Sequence, residues 1–109
     1  MVNQRSRPPR SLIERVTRSA RGERCWLVLP DICNGDEQTV VFAHYRDQGL
    51  GAAMGIKPHI WGAPACSSCH DEADRRSRKF EYDFVRTIHC QATLRYIEYL
   101  RCQGTLKIS

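Results

Sequence analysis

Four cysteines in two close pairs constrain this chain more than any other feature. Cys25 and Cys33 form a C-x7-C, and Cys66 and Cys69 form a C-x2-C. Two thiolates separated by two residues can grip a tetrahedral ion from a single turn. Redox sites use the same spacing, so that pair by itself leaves both uses open. The earlier pair brackets "CWLVLP", a short apolar run ended by proline, and "DICNGDEQ", turn chemistry with Asn34-Gly35 at its centre. A β-hairpin is expected there, its second strand supplied by "TVVFAHY" at 39–45, which is rich in β-branched and aromatic residues. If the hairpin folds back onto the turn at 66–69, four thiolates converge and Zn²⁺ closes a structural site with no open position. The alternative keeps Cys25 and Cys33 as small buried residues and leaves Cys66 and Cys69 to act alone.

A chain of 109 residues has room for one domain and a small core. A structural metal would add stability that such a core lacks. No apolar run approaches the roughly 20 residues of a membrane span. The basic N-terminus is not followed by the apolar stretch of a secretory signal. An intracellular setting is therefore expected, where thiols stay reduced and clustered cysteines bind metal more often than they pair. The formal charge of +5 is unevenly placed. Residues 1–24 carry seven arginines against Glu14 and Glu23, whereas residues 25–109 balance ten bases with ten acids. Such an arm suits a polyanion, because neutralising phosphates releases counterions. It would serve equally as a solvated tail.

Further along the chain, "SLIE" at 11–14 fits a capping box with Ser11 as N-cap. Leu12, Ile13, Val16 and Ala20 then form an apolar stripe that Gly22 would end. Residues 1–22 are read as a basic arm with a short helix, and 23–109 as the main domain. The glycine-rich stretch 46–59 is read as a loop. "CSSCHDEADRRSRK" is expected to turn into a helix. The segment from Phe80 to Gly104 has helical period, with Phe84, Val85, Ile88, Ala92 and Tyr96 on one side. Gly104 should stop it, and "TLKIS" could add a final strand. Cys90 and Cys102, 12 residues apart and about 120° around that helix, cannot share a ligand, so both are read as core residues.

His70 directly follows the C-x2-C, and Asp74 is four residues later, on the same helical face. An imidazole and a carboxylate there could hold a hard divalent cation, with water in its other positions. Such an ion acidifies water and stabilises a departing alkoxide, as phosphodiester cleavage requires. The alternative is that His70 merely opens a helix, while Asp71, Glu72 and Asp74 favour its positive end.

The order of "RGERC", "LPDICNG", "TVVFAHYR", "GIKP" and "ACSSCHDEADRR", over roughly residues 21–76, resembles the HNH, or ββα-metal, endonucleases with an added zinc knuckle. More narrowly, it resembles the YbcO-like nucleases of phage and prophage genomes. The resemblance implies an α+β fold: a small ββα-metal finger with a structural zinc knuckle, an N-terminal helix and a long C-terminal helix. It implies that His44 is the general base, that His70 binds a catalytic Mg²⁺ or Mn²⁺, and that Cys25, Cys33, Cys66 and Cys69 hold Zn²⁺. Two departures stand out. The residue before the base is often a cation-binding aspartate, but here it is Ala43, and the central asparagine has no match, although His59 is nearby. Asp74 is therefore expected as the second cation ligand, with Asp71 behind it. Arg46, Arg75 and Arg76 could clamp phosphate oxygens, each having a surface salt bridge as its alternative. His89, inside the long helix, is read as structural.

The implied activity is metal-dependent DNA hydrolysis in the cytoplasm of a bacterial host cell, with two-strand cutting favouring a homodimer. Two other classes stay open. A non-catalytic zinc-stabilised module binding nucleic acid or protein would keep the four thiolates and dispense with His44. A thiol redox protein would need a free cysteine in the C-x2-C.

Overall fold

The computed structural model describes residues 10–46 and 60–106. The expected loop from residue 47, His59 and the last three residues of the expected final strand lie outside them. Within them the chain folds as a small α+β unit: α1 (Arg10–Ser19), β1 (Val41–His44), β2 (Gly62–Ala65), α2 (Ser67–Ala73) and α3 (Tyr82–Cys102). The two strands pair antiparallel, with Val41 opposite Ala65 and His44 opposite Gly62.

The stripe on α1 faces inward as its spacing requires, with Val16 and Ala20 fully buried and Arg15 and Arg18 in solvent. The helix begins at Arg10, which places Ser11 inside it and not at its cap. Gly22 adopts φ +73°, the left-handed conformation that ends a helix at little cost only for glycine.

The hairpin expected after Cys25 does not form. Residues 25–36 run as turns without a strand, and a 3-10 turn at Glu37–Thr39 leads into β1. The partner of β1 is the stretch Gly62–Ala65, which has no β-branched or aromatic residue to announce it. Its reason is steric. All four residues are buried, and α3 packs across them. A Cβ at Gly62 would lie 2.5 Å from the Ala43 carbonyl oxygen, so only glycine fits opposite His44. The segment after Cys25 joins this layer through the Trp26 backbone N–H, which donates to Pro64 O at 2.8 Å.

Tyr96 of α3 centres the core and is fully buried. Trp26 meets it edge-on at 5.0 Å, and Tyr99 stacks on it at 5.7 Å. The Ser19 hydroxyl donates its one proton to Val16 O at 2.6 Å, so the Tyr96 O–H must donate to Ser19 Oγ, 2.5 Å away. This bond pins α1 to α3. Truncating such a ring to alanine costs about 3–5 kcal/mol. Of the residues expected inside α3, Val85, Ala92 and Tyr96 are buried, but Phe84 is 42% exposed and packs instead on Phe80 at the surface. Cys102 is exposed and Cys90 half-buried, so Cys102 is no core residue. Gly104, at φ +82°, closes the helix as expected, and Thr105–Leu106 continue without a strand.

Candidate functional site

The chain brings Cys25, Cys33, Cys66 and Cys69 together, with all four sulfurs within 4.8 Å of one another. They form the one such group of three or more metal-ligating side chains among the described residues. Cys66 is the N-cap of α2, and its sulfur accepts the Cys69 N–H at 3.4 Å. From the facing turn, the N–H groups of Val28, Leu29 and Asn34 point at the sulfurs of Cys25, Cys69 and Cys66, each at 3.4 Å. Backbone donors aimed at sulfur favour thiolate over thiol. To aim them the turn adopts positive φ at Val28 (44°), Asp31 (61°) and Gly35 (68°). For β-branched Val28 that conformation is strained by about 1–3 kcal/mol and persists only where its surroundings impose it.

Asn34 joins the turn to α2. Its Nδ2 donates to Ser67 Oγ at 3.0 Å and lies 3.2 Å from Ser68 Oγ, while its Oδ1 accepts the Asp36 N–H at 2.8 Å. The thiols share protons unevenly. A hydrogen bond from Cys69 holds Cys25 well below the ordinary thiol range, while the Cys25 bond pushes Cys69 upward and burial pushes up Cys33. Several sulfurs packed this closely cannot all ionise unless a cation joins them.

Where β1 ends against α2 and α3 lies a cavity of about 360 Å³. His44 lines it from the end of β1, its ring edge-on to Phe42 at 5.0 Å. Asp74, the C-cap of α2, lines it too, and its Oδ2 meets His70 Nε2 at 3.2 Å. The spacing of His70 and Asp74 thus places both on one face, as read from the sequence.

Arg46, Arg75 and Arg76 all line the same cavity, in unequal states. Arg75 sits at φ +62°, donates to Phe80 O at 3.2 Å and lies over the Tyr82 ring at 5.6 Å. Its guanidinium is largely committed to shaping the loop after α2. Arg76 bridges Asp71 at 3.2 Å and Asp74 at 3.7 Å, and remains 63% exposed. Asp71 accordingly faces Arg76. Glu72, fully buried, anchors this loop by accepting Ser77 Oγ at 2.6 Å and the Phe80 N–H at 2.8 Å. Burial opposes its charge, but those donors and Arg75 prevail and hold its carboxyl below the usual range.

Two cavity residues from α3 were not assigned to the site by the sequence, Arg86 being unremarked and His89 read as structural. Arg86 adds a guanidinium from α3, and His89 presents a buried imidazole whose Nε2 lies 2.9 Å from Ala43 O. Their spacing in α3, i and i+3, puts them on one face, but nothing in the sequence shows that this face meets the end of β1.

A family model described as "Putative nuclease YbcO" matches residues 14–105. Curated relatives with that name, from Escherichia coli (strain K12) and Enterobacteria phage 82, are each 43% identical over 69 residues. Those 69 residues are 63% of this chain and 72% of each relative. A solved structure titled "Structure of a putative bacteriophage protein from Escherichia coli str. K-12 substr. MG1655" superposes with a TM-score of 0.67 at 30% identity. It covers 81% of this chain and 98% of that one.

Proposed function

The chain belongs to the YbcO nuclease family, and from that membership we propose that it is a metal-dependent endonuclease hydrolysing DNA phosphodiester bonds. One observation carries the proposal: a single cavity holds the His44 imidazole, the Asp74 carboxylate and several guanidinium groups. That combination suits an anionic diester that must be held, charge-stabilised and attacked by water. The order β1, β2, α2, with one histidine ending the first strand and another in the first turn of the helix, supports the HNH-type assignment.

The four cysteines fit Zn²⁺. A tetrahedral ion with Zn–S bonds of about 2.3 Å sets its sulfurs roughly 3.8 Å apart, and Cys33 and Cys66 stand at 3.9 Å. With four thiolates there, the zinc is structural. His70 and Asp74 offer one nitrogen and one oxygen donor, a set that suits Mg²⁺ or Mn²⁺ with water and substrate oxygens in the other positions. When bound, that ion supplies positive charge at the scissile phosphate and the leaving 3′ oxygen. The protein's own groups do the rest. His44 accepts the proton of the attacking water. Arg46 and Arg76 hold phosphate oxygens in forked geometry, with Arg75 supporting them from the loop. Exposed Arg15, Arg18, Arg21 and Arg24 add positive charge that would attract the DNA backbone. The substrate is DNA of the bacterial cytoplasm, and cutting both strands would engage two copies of the chain.

The test is cleavage of supercoiled plasmid by zinc-loaded protein, with Mg²⁺ or Mn²⁺ removed and then restored. Cleavage should require the added ion and fall at least about tenfold in His70→Ala and in Asp74→Asn. Cutting that needs no added ion, or is untouched by both substitutions, would remove the cation site from the account.

A further inference from the structure

The imidazole of His89 is 6% exposed, yet it lines the same cavity as His44. Its Nε2 faces the Ala43 carbonyl oxygen at 2.9 Å across 46 residues of sequence. A carbonyl can only accept, so Nε2 carries the proton. The ring is also edge-on to Tyr45, with centroids 5.3 Å apart. His89 therefore touches the residues immediately before and after His44.

We propose that His89 is the positioning residue for the general base, which it aims by holding the peptide plane from which His44 departs. The proposal rests on the hydrolytic reading of this cavity. The Ala43 carbonyl and the His44 nitrogen belong to one rigid plane, so a grip on that oxygen fixes the direction of the His44 N–Cα bond and the point from which its side chain departs. β1 ends at His44, where strand pairing stops supporting the chain except for the Tyr45 N–H, which donates to Trp61 O at 2.8 Å. On the opposite strand stands Gly62, which has no side chain to hold His44 in place. α3 provides a firm anchor, since Val85, Ala92 and Tyr96 bury the same face one turn to either side and beyond. Burial also keeps His89 below the ordinary histidine range, so the ring keeps the neutral form in which one nitrogen donates.

The experiment compares His89→Gln, His89→Asn and His89→Leu in the full zinc-loaded chain. Glutamine places an N–H at about the reach of Nε2, asparagine stops short, and leucine keeps bulk without a donor. His89→Gln should keep kcat for plasmid cleavage within about threefold. The other two should lose at least tenfold in kcat at nearly unchanged KM, as expected when a catalytic group is misaimed. Nitrogen-edited NMR of the ring of His44 should show its signals moved in His89→Leu and His89→Asn and retained in His89→Gln. A His89→Gln variant as impaired as His89→Leu would mean that the imidazole itself reacts, and a His89→Leu variant like wild type would mean that the grip is idle. Either result overturns the proposal. Moved His44 signals in proteins that never cleave would uphold the positioning and overturn the hydrolytic reading alone.

Discussion

The backbone N–H of Leu29 points at the sulfur of Cys69, 3.4 Å away and 40 residues later in the chain. A loop and a helix are joined there by a weak donor and a soft acceptor, a bond of little strength unless the sulfur is ionised. Elemental analysis should find about one tightly held zinc per chain. Cys66→Ser should lose that zinc, and the melting temperature should fall by at least about 10 °C, because the ion's binding energy is folding energy. Zinc-free protein with an unchanged melting temperature would contradict this.

Stability should also depend on pH through His89. Burial holds its pKa below the ordinary value, while the Ala43 carbonyl and Asp74 push it up and His70 pushes it down. In the unfolded chain a histidine takes up its proton near pH 6.5. Below that pH the unfolded state binds more protons, so the contribution of neutral His89 is present above about 6.5 and is lost as pH falls through its folded value. Groups near the ring from α2, its C-cap and the residue after β1, namely His70, Asp74 and Tyr45, are shared by wild type and variant. Urea unfolding between pH 7.5 and 5.5 should therefore show a shallower loss in His89→Gln. Equal slopes would mean that His89 carries its proton in the folded state as readily as in the unfolded one.

The N-terminal residues give a prediction of a different kind. Arg5 and Arg7 precede α1. Removing residues 1–9 spares Val16 and Ala20, which the core needs. If both arginines neutralise phosphates, the slope of log K against log salt should fall by about two. An unchanged slope would mean they make no contact with the nucleic acid.

The legible parts of this molecule were those governed by local rules. The stripe on α1, the left-handed stops at Gly22 and Gly104, and the C-x2-C opening α2 all follow from periodicity and backbone sterics. The cysteine pairs converge as their spacing suggested, but by another route. "CWLVLP" reads as a strand by composition, whereas its backbone N–H groups turn to sulfur and Trp26 alone reaches Pro64. β2 was invisible because Gly-Ala-Pro-Ala is chosen for thinness, so that α3 can pack against the sheet. His89 reads as helix filling because its partner, a carbonyl on β1, is set by tertiary packing alone. Arg75 and Arg76 line the cavity, but their ties to Phe80 and Asp71 depend on the buried Glu72 loop, which no motif announces.

The most direct test of the central claim is plasmid cleavage by zinc-loaded wild type and His44→Ala in the presence of Mg²⁺ or Mn²⁺. Removal of a general base should lower the rate at least about a hundredfold, with zinc content and melting temperature unchanged. Equal cutting by the two proteins would point to a contaminating enzyme, contradict the account and leave a zinc-stabilised module that binds nucleic acid without cleaving it.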